Sequence, residues 1–163
     1  MKRGPKIKVT ASGELYVSES QMQINFLRWF AVKHADLFDK IFSIPNGAKN
    51  GGRKNKNGVP VQAAIMKAEG LKKGVADLFL SVARSGFHGL YIESKTPVGT
   101  WDQDQKDFAA AVIPEGYAYI LCRTPEQYEQ QVTDYLEGKF IQTDVSLIDK
   151  NSKAYRSKAR VAG

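Results

Sequence analysis

An acid and a lysine two positions apart on one predicted strand are the residues of this chain best placed to carry chemistry. Glu93 and Lys95 close the mostly apolar run 89–95. Because side chains alternate across a strand, both project from the same face, and Ile92 and Ser94 project from the other. An isolated pair of this kind is most often a surface contact worth about 0.2–1 kcal/mol. The surroundings of the pair therefore decide whether it has a function.

A second acid is expected directly opposite Glu93. Residues 75–82 and 88–95 both have the pattern of strands, and Arg84-Ser85-Gly86 between them is typical of a three-residue hairpin loop with Gly86 in the left-handed conformation. In that register the numbers of facing residues add to 170, so Asp77 faces Glu93. Two carboxylates this close repel each other and need a compensating charge.

A divalent cation is the simplest compensation. Mg²⁺ prefers oxygen ligands and is usually held by one or two carboxylates together with water and substrate phosphate. Asp77, Glu93 and the backbone carbonyl of Ser94 suit this ligand set. Lys95 would then position or help to deprotonate an attacking water and stabilise charge on a phosphate. A glycine-rich turn at 70–74 and Gln105 at the start of the following helix accompany these residues in one continuous stretch.

The elements that must position these residues alternate between helix and strand. Ser18 and Gln21 form a capping-box pattern that predicts a first helix at about 19–35. Further helices are predicted at 60–69, from Asp102 with Gln105 as box partner, and from Thr124 with Pro125 and Gln127. Residues 41–44 and 117–122 predict strands. The sum is a small α/β domain with helices packed on a mixed sheet.

Composition excludes several classes of protein. The chain has 163 residues, enough for one ordinary domain, and Cys122 is the only cysteine, so neither an intramolecular disulfide nor a cysteine-based zinc site is expected. No apolar run approaches the roughly 20 residues of a membrane span. No apolar stretch follows the basic N-terminus, so we expect no secretory signal there and a cytoplasmic location. His34, His88 and Trp29 are expected to have packing roles. Packing is also favoured for Trp101, and the alternative there is stacking on an unpaired base.

The net charge of +7 comes from the two ends of the chain. Residues 1–9 hold four basic residues and residues 150–163 hold five, with no acid in either segment, and residues 10–149 hold 15 basic and 17 acidic residues. Such ends are either phosphate-seeking arms or solvated tails. The glycine- and asparagine-rich loop 46–57 carries four more cations and is predicted to contact DNA, the alternative being a solvated surface loop. Those cations are Lys49, Arg53, Lys54 and Lys56. Lys72 and Lys73 either contact the DNA backbone or face solvent.

These motifs, in this order, resemble the VRR-NUC (virus-type replication and repair nuclease) branch of the PD-(D/E)xK nucleases. The resemblance extends from Glu19 to about Leu136. It runs through Glu19 to Gln23, Ile44 to Gly47, Ala68 to Leu78, Gly89 to Lys95 and the helix of Gln105. It implies an α/β fold with a PD-(D/E)xK restriction-endonuclease-like core, a mixed β-sheet flanked by helices. The predicted organisation is a basic N-terminal arm at 1–18, a nuclease domain at 19–138 and a basic C-terminal tail at 139–163.

The resemblance also implies roles for single residues. Asp77 and Glu93 would be metal ligands and Lys95 the catalytic lysine, with Gln105 supporting the site. Glu19 would be an active-site acid from the first helix, with Gln23 one turn later. Ala76 stands where the family usually has proline, and Ser94 where it usually has an apolar residue. Neither position contributes a reacting side chain, because Ser94 would offer only its carbonyl.

The function that follows is Mg²⁺- or Mn²⁺-dependent hydrolysis of DNA phosphodiester bonds, leaving 5′-phosphate ends. The resemblance implies a homodimer that cuts branched DNA such as four-way (Holliday) junctions, as expected of stand-alone members of the family. Such domains are common in phages and bacteria. Residues 139–163, with apolar Val145, Leu147 and Ile148, could pack across a dimer interface. The alternatives are a non-catalytic DNA-binding module with the same fold and a hydrolase of a small phosphorylated metabolite. A DNA-binding module has no use for three acids beside a phosphate ligand, and basic arms disfavour the metabolite hydrolase.

Overall fold

The elements follow one another in the predicted alternation, in a computed structural model that describes residues 6–45 and 61–159. The first part contains strands β1 (Lys8–Val9) and β2 (Leu15–Tyr16), helix α1 (Glu19–Lys33), a 3-10 segment (Ala35–Lys40) and strand β3 (Ile41–Ser43). The second part contains α2 (Val61–Ala68), β4 (Leu78–Leu80), β5 (Leu90–Ser94), α3 (Gln103–Val112), β6 (Ala118–Cys122), α4 (Pro125–Leu136) and α5 (Val145–Ala159). The predicted DNA-contacting residues Lys49, Arg53, Lys54 and Lys56 lie outside the described residues.

A mixed sheet of four strands forms the centre, in the order β3-β4-β5-β6. The β3–β4 and β4–β5 pairs are antiparallel, whereas β5 and β6 are parallel, with α3 as the crossover between them. Leu78 faces Ile92 and Leu80 faces Leu90, so the numbers of facing residues add to 170, as predicted. The predicted fold class, a mixed sheet flanked by helices, is therefore confirmed.

The predicted hairpin loop was wrong in one detail. Ser85 and Gly86 alone form the turn, with φ of 51° and 80°, because the backbones of Arg84 and Phe87 exchange hydrogen bonds of 3.2 and 2.8 Å. Two consecutive left-handed residues are the signature of a two-residue turn that matches the twist of the strands. The residue numbers of the pair Arg84 and Phe87 add to 171, whereas those of the pairs in the sheet add to 170. One strand therefore has one extra residue between the turn and the sheet.

Each face of the sheet packs against two helices. Leu78, Leu80, Leu90 and Ile92 belong to one core cluster, together with residues of α1 and α4 such as Phe26. The opposite face forms a second cluster, joined by residues of α3 and α5. Its buried members are Ala76, Trp101, Ala109, Tyr119, Leu121 and Ile148. Strand alternation sends Glu93 and Lys95 toward the side of α3 and α5, so the candidate site opens on that side of the sheet.

The helix starts confirm the predicted N-caps, although two of the three box partners bond elsewhere. The hydroxyl of Ser18 accepts a hydrogen bond from the backbone amide of Gln21 at 3.2 Å, and the hydroxyl of Thr124 accepts one from the amide of Gln127 at 3.4 Å. The side chain of Gln21 bonds Asn25 and that of Gln127 bonds residues outside its own cap. At α3 the box is complete, because the side-chain oxygen of Gln105 accepts from the amide of Asp102 at 3.1 Å.

Both predicted terminal segments contain regular structure. The N-terminal arm includes the β1–β2 hairpin, and the C-terminal tail includes α5, in which Ile148 is buried against the sheet and Leu147 is exposed. The predicted role of this tail at a dimer interface stays a prediction. Trp101 is buried, which agrees with its predicted packing role, and Cys122 is buried as well. Among the described helices, none combines the length and apolar character that a bilayer span requires.

Candidate active site

Glu93 is the centre of the candidate site and is almost completely buried. Its side chain is 1% exposed, at the end of β5. One carboxylate oxygen, Oε1, accepts a hydrogen bond of 2.5 Å from Nε2 of Gln105 and lies 3.3 Å from Nζ of Lys95. The other oxygen, Oε2, is buried without a hydrogen-bond partner in the described structure. A buried carboxylate oxygen without a donor is costly in free energy unless a proton or a cation occupies it.

Asp77 lies next to Glu93 across the hairpin, as the register predicted. Its Oδ2 accepts a hydrogen bond of 2.9 Å from the amide of Ser94, and its backbone carbonyl accepts one of 2.9 Å from the amide of Ile44. The half-buried residue is thus held on one side through its side chain and on the other through its backbone. The side chain of Ser94 points to the other face, where Tyr128 lies 2.5 Å from its hydroxyl. This leaves only the backbone of Ser94 available to the candidate site.

Glu19 reaches the site from the first turn of α1. Its Oε1 accepts a hydrogen bond of 3.1 Å from the amide of Thr96, the residue after Lys95. An acid in the first turn of a helix is also stabilised by the helix dipole. Gln23 lies one turn further on, half-buried on α1. The structure therefore brings Glu19, Asp77, Glu93, Lys95 and Gln105 together, although they are spread over 87 positions of the sequence.

The electrostatics of the site favour a bound cation. Burial, together with the neighbouring charges of Asp77 and Glu19, raises the pKa of Glu93 to about 8, against the lowering effect of Lys95. A carboxyl group with so high a pKa is protonated near neutral pH unless positive charge is supplied. Without a cation, burial and the neighbouring acids therefore disfavour the ionised form of Glu93. Metal binding requires that ionised form, and a bound cation would stabilise it.

The donor set of the site fits Mg²⁺ better than zinc. Within residues 6–45 and 61–159 there is no group of three or more His, Cys, Asp or Glu side chains placed to hold a metal ion. Zinc sites usually need three or four such protein ligands, whereas Mg²⁺ keeps several waters and accepts one or two carboxylates. Asp77, Glu93 and the Ser94 backbone carbonyl could supply such a ligand set for Mg²⁺ or Mn²⁺, and the Oε2 of Glu93, which has no hydrogen-bond partner among the described residues, fits it.

The glycine-rich turn before Asp77 is a close approach of two backbones. Gly74 has φ of 78°, and a Cβ at this position would lie 2.2 Å from the backbone oxygen of Asp104 on α3. Glycine is therefore required both by conformation and by space. Lys72 and Lys73 are exposed in this turn. Their predicted contact with DNA stays a prediction.

Sequence reasoning missed Arg123, which is buried directly behind the site. Its guanidinium donates to the backbone oxygens of Thr96 and Gly99, both at 2.8 Å, and to Asp149 and Ser152 on α5, at 2.6 and 3.1 Å. The signal in the sequence is weak: one charged residue directly after the apolar strand 118–122. Such a position more commonly marks the exposed end of a strand.

The comparisons with known proteins concern the fold. No protein-family model and no curated protein matches the sequence. Among solved structures, the chain is similar to one described as "VRR_NUC domain protein", with a TM-score of 0.62 and 24% sequence identity. The similarity covers 75% of this chain and 90% of that protein. Together with the observed sheet and helices, this shows that the chain has a VRR-NUC-like fold.

Proposed function

We propose that this protein is a Mg²⁺- or Mn²⁺-dependent endonuclease that hydrolyses phosphodiester bonds in DNA. The observation that carries the proposal is the buried Glu93 beside Asp77, with one carboxylate oxygen held by Gln105 and Lys95 and the other without a partner. A purely structural glutamate in such a place would be expected to have both oxygens satisfied. The VRR-NUC-like fold supports the same reading, because its name denotes a nuclease family.

Each residue of the site has a task in such a reaction. Asp77, Glu93 and the backbone carbonyl of Ser94 would hold the cation, and Gln105 keeps the Glu93 carboxylate in one orientation through its bond to Oε1. When bound, the cation supplies Lewis acidity at the scissile phosphate and lowers the pKa of water. Lys95, held 3.3 Å from Glu93, would orient the attacking water or, as the neutral amine, help to deprotonate it, and its ammonium form would offset charge on the phosphate. Glu19 adds a further acid beside the turn at Thr96.

We propose branched DNA, such as a four-way junction, as the substrate and a homodimer as the working form. The support is the charge distribution, with nine basic residues and no acid in residues 1–9 and 150–163, and the exposed Lys72 and Lys73 in the turn before Asp77. Basic segments at both ends favour a long polyanion over a small phosphorylated metabolite. A two-fold arrangement of sites would suit a substrate that needs paired incisions.

A non-catalytic DNA-binding module with the same fold is the second candidate. The same basic segments favour it, since phosphate contacts alone explain their charge. A binding module does not explain why Glu93 is buried between Lys95 and Gln105, because a carboxylate repels the phosphate backbone.

Cleavage of a labelled four-way junction and a linear duplex of the same sequence tests the proposal. We expect cutting of the junction in Mg²⁺ or Mn²⁺, slower cutting of the duplex, and loss of cleavage in Asp77→Asn and Lys95→Met. Junction binding by these variants in EDTA should equal that of the wild type. Binding without cleavage under any divalent ion would reject the nuclease and support the binding module. Equal cutting of both substrates would reject the specificity for branched DNA.

A further inference from the structure

Arg123 connects three parts of the molecule that meet behind the candidate site. It follows β6 directly, and its side chain is fully buried. Nη1 donates to the backbone oxygens of Thr96 and Gly99, each at 2.8 Å. These two residues are the ends of a tight turn, in which the amide of Gly99 bonds the carbonyl of Thr96 at 3.0 Å. One guanidinium nitrogen therefore clamps both ends of the turn that follows Lys95.

The same turn contacts Glu19. The amide of Thr96 donates to Oε1 of Glu19 at 3.1 Å. A Cβ built on Gly99 would lie 3.1 Å from that same oxygen, so the turn also packs tightly against the carboxylate. The turn therefore bonds Glu19 through an amide and bonds Arg123 through two carbonyls.

Helix α5 supplies the other half of the contacts. Nη2 of Arg123 forms an ion pair of 2.6 Å with Asp149, and Nε donates to the hydroxyl of Ser152 at 3.1 Å. Burial by itself raises the pKa of Asp149, but hydrogen bonds from Lys153 and Arg123 lower it below its ordinary value, so the carboxylate stays ionised. A buried guanidinium needs such partners, because an unpaired one would be strongly destabilising. The predicted C-terminal tail thus provides a counterion for the residue that holds the turn.

We propose that Arg123 is a positioning residue of the nuclease site, and that α5, through Asp149 and Ser152, is part of the apparatus that holds Glu19 in place. The proposal rests on the proposed function for its catalytic consequence, but the mechanical coupling is independent of it. Among the described residues, the guanidinium of Arg123 bonds the carbonyls of the turn and α5 and no residue of the candidate site. Its effect on the reaction is therefore transmitted through Thr96 and Gly99.

Amide hydrogen exchange of the full metal-free chain tests the coupling without any need for cleavage. In Arg123→Lys, a single ammonium cannot reproduce the forked contacts, and we expect the Thr96 and Gly99 amides to exchange about 10-fold to 100-fold faster. Asp149→Asn keeps an oxygen acceptor and should give a smaller change at the same two amides. Tyr135→Phe is the matched control, because it removes one buried hydrogen bond of 2.6 Å, to Val82, beside the hairpin turn.

Steady-state cleavage kinetics test the catalytic consequence. We expect Arg123→Lys and Gly99→Ala to lower kcat at saturating Mg²⁺ by about 10-fold to 100-fold, as for other supporting residues of metal sites, with KM for the junction unchanged. The added Cβ of Gly99→Ala would lie 3.0 Å from Oγ1 of Thr96 and 3.1 Å from Oε1 of Glu19. This variant leaves the contacts of Arg123 to α5 in place, so it remains informative if the Arg123 variant does not fold. Tyr135→Phe should leave kcat unchanged.

The outcomes separate this proposal from the proposed function. A uniform rise in exchange over all amides, or no rise at Thr96 and Gly99, would overturn the coupling and assign Arg123 to general stability. A local rise with unchanged kcat would overturn the positioning role. If the wild type cuts no DNA with any ion, the nuclease proposal fails, while the exchange measurement still decides whether Arg123 holds the turn.

Discussion

The amide of Ser94 donates a hydrogen bond of 2.9 Å to the carboxylate of Asp77, across the β4–β5 hairpin. This contact joins the backbone of one strand to the side chain of the other at the point where Glu93 and Lys95 point into the candidate site. It holds one oxygen of Asp77 close to Glu93, whose pKa is raised first by burial and then by the charge of Asp77. The position of Asp77 beside Glu93 is therefore set by the pairing of the two strands.

Replacing Asp77 by Asn should separate this structural contact from metal binding. Asparagine keeps an oxygen that can accept from the Ser94 amide, so the thermal midpoint should change little. Loss of the charge should weaken Mn²⁺ binding, measured by calorimetry, and lower cleavage by more than about 100-fold, beyond the effect of supporting residues. Asp77→Ala should in addition lose about 1 kcal/mol of stability. Unchanged Mn²⁺ affinity in Asp77→Asn would show that Asp77 is not a ligand.

The raised pKa of Glu93 predicts that the metal-free protein loses stability as pH rises. Between about pH 4.5 and about 8 the unfolded chain has released this proton while the folded chain keeps it. The free energy of unfolding therefore falls with pH, at up to about 1.4 kcal/mol per unit from this group. Asp77 and Glu19 strengthen the effect and Lys95 weakens it.

Denaturant titrations at pH 6 and pH 8 measure this effect, with Glu93→Gln as the comparison. The variant cannot ionise at this position, so the difference in stability between wild type and variant should shift in favour of the variant at pH 8. Mg²⁺ should restore stability to the wild type at pH 8, because the cation replaces the proton and binds only the folded state. Identical pH slopes in the two proteins would contradict the burial of an ionisable Glu93.

Gln105 should matter far more than its neighbour Gln103. Gln105→Met removes the donor to Glu93 and the acceptor for the Asp102 amide, so we expect a 10-fold to 100-fold loss of metal affinity or kcat and about 1 kcal/mol of stability. Gln103 bonds Asp107 on the exposed side of the same helix, and Gln103→Met should change stability by no more than about 0.5 kcal/mol. Similar effects of the two substitutions on kcat would show that Gln105 does not support the candidate site.

Gly74→Ala should be much more destabilising than Gly138→Ala. The two glycines have nearly equal φ, 78° and 77°, so the conformational cost of about 1–2 kcal/mol is shared. Only at Gly74 would the added Cβ meet another atom, the backbone oxygen of Asp104 at 2.2 Å. The difference between their unfolding free energies, measured by urea titration, therefore isolates the contact between the turn and α3. Equal losses would show that the turn does not pack against α3.

Much of the site was predictable because local rules decide it. Strand alternation alone places Glu93 and Lys95 on one face, and pairing around the Ser85–Gly86 turn places Asp77 at the facing position. The predicted three-residue loop was wrong but the predicted register was right. The turn is one residue shorter than predicted, and one extra residue between the turn and the paired strands restores the same register. Predicted strand limits of 75–82 and 88–95 shrank to Leu78–Leu80 and Leu90–Ser94, because pairing, not propensity, ends a strand.

The amino-acid sequence by itself determined the helix caps, the order of the elements, the register of the hairpin and the neighbouring carboxylates, because each of these depends on residues close together along the chain. Only the tertiary structure decided that Glu93 is buried with a pKa of about 8 and that Arg123 clamps the Thr96–Gly99 turn from α5. Burial and long-range hydrogen bonds join residues up to 77 positions apart, such as Glu19 and Thr96. Nothing in the local pattern of either segment specifies that meeting, since it depends on how the helices pack on the two faces of the sheet.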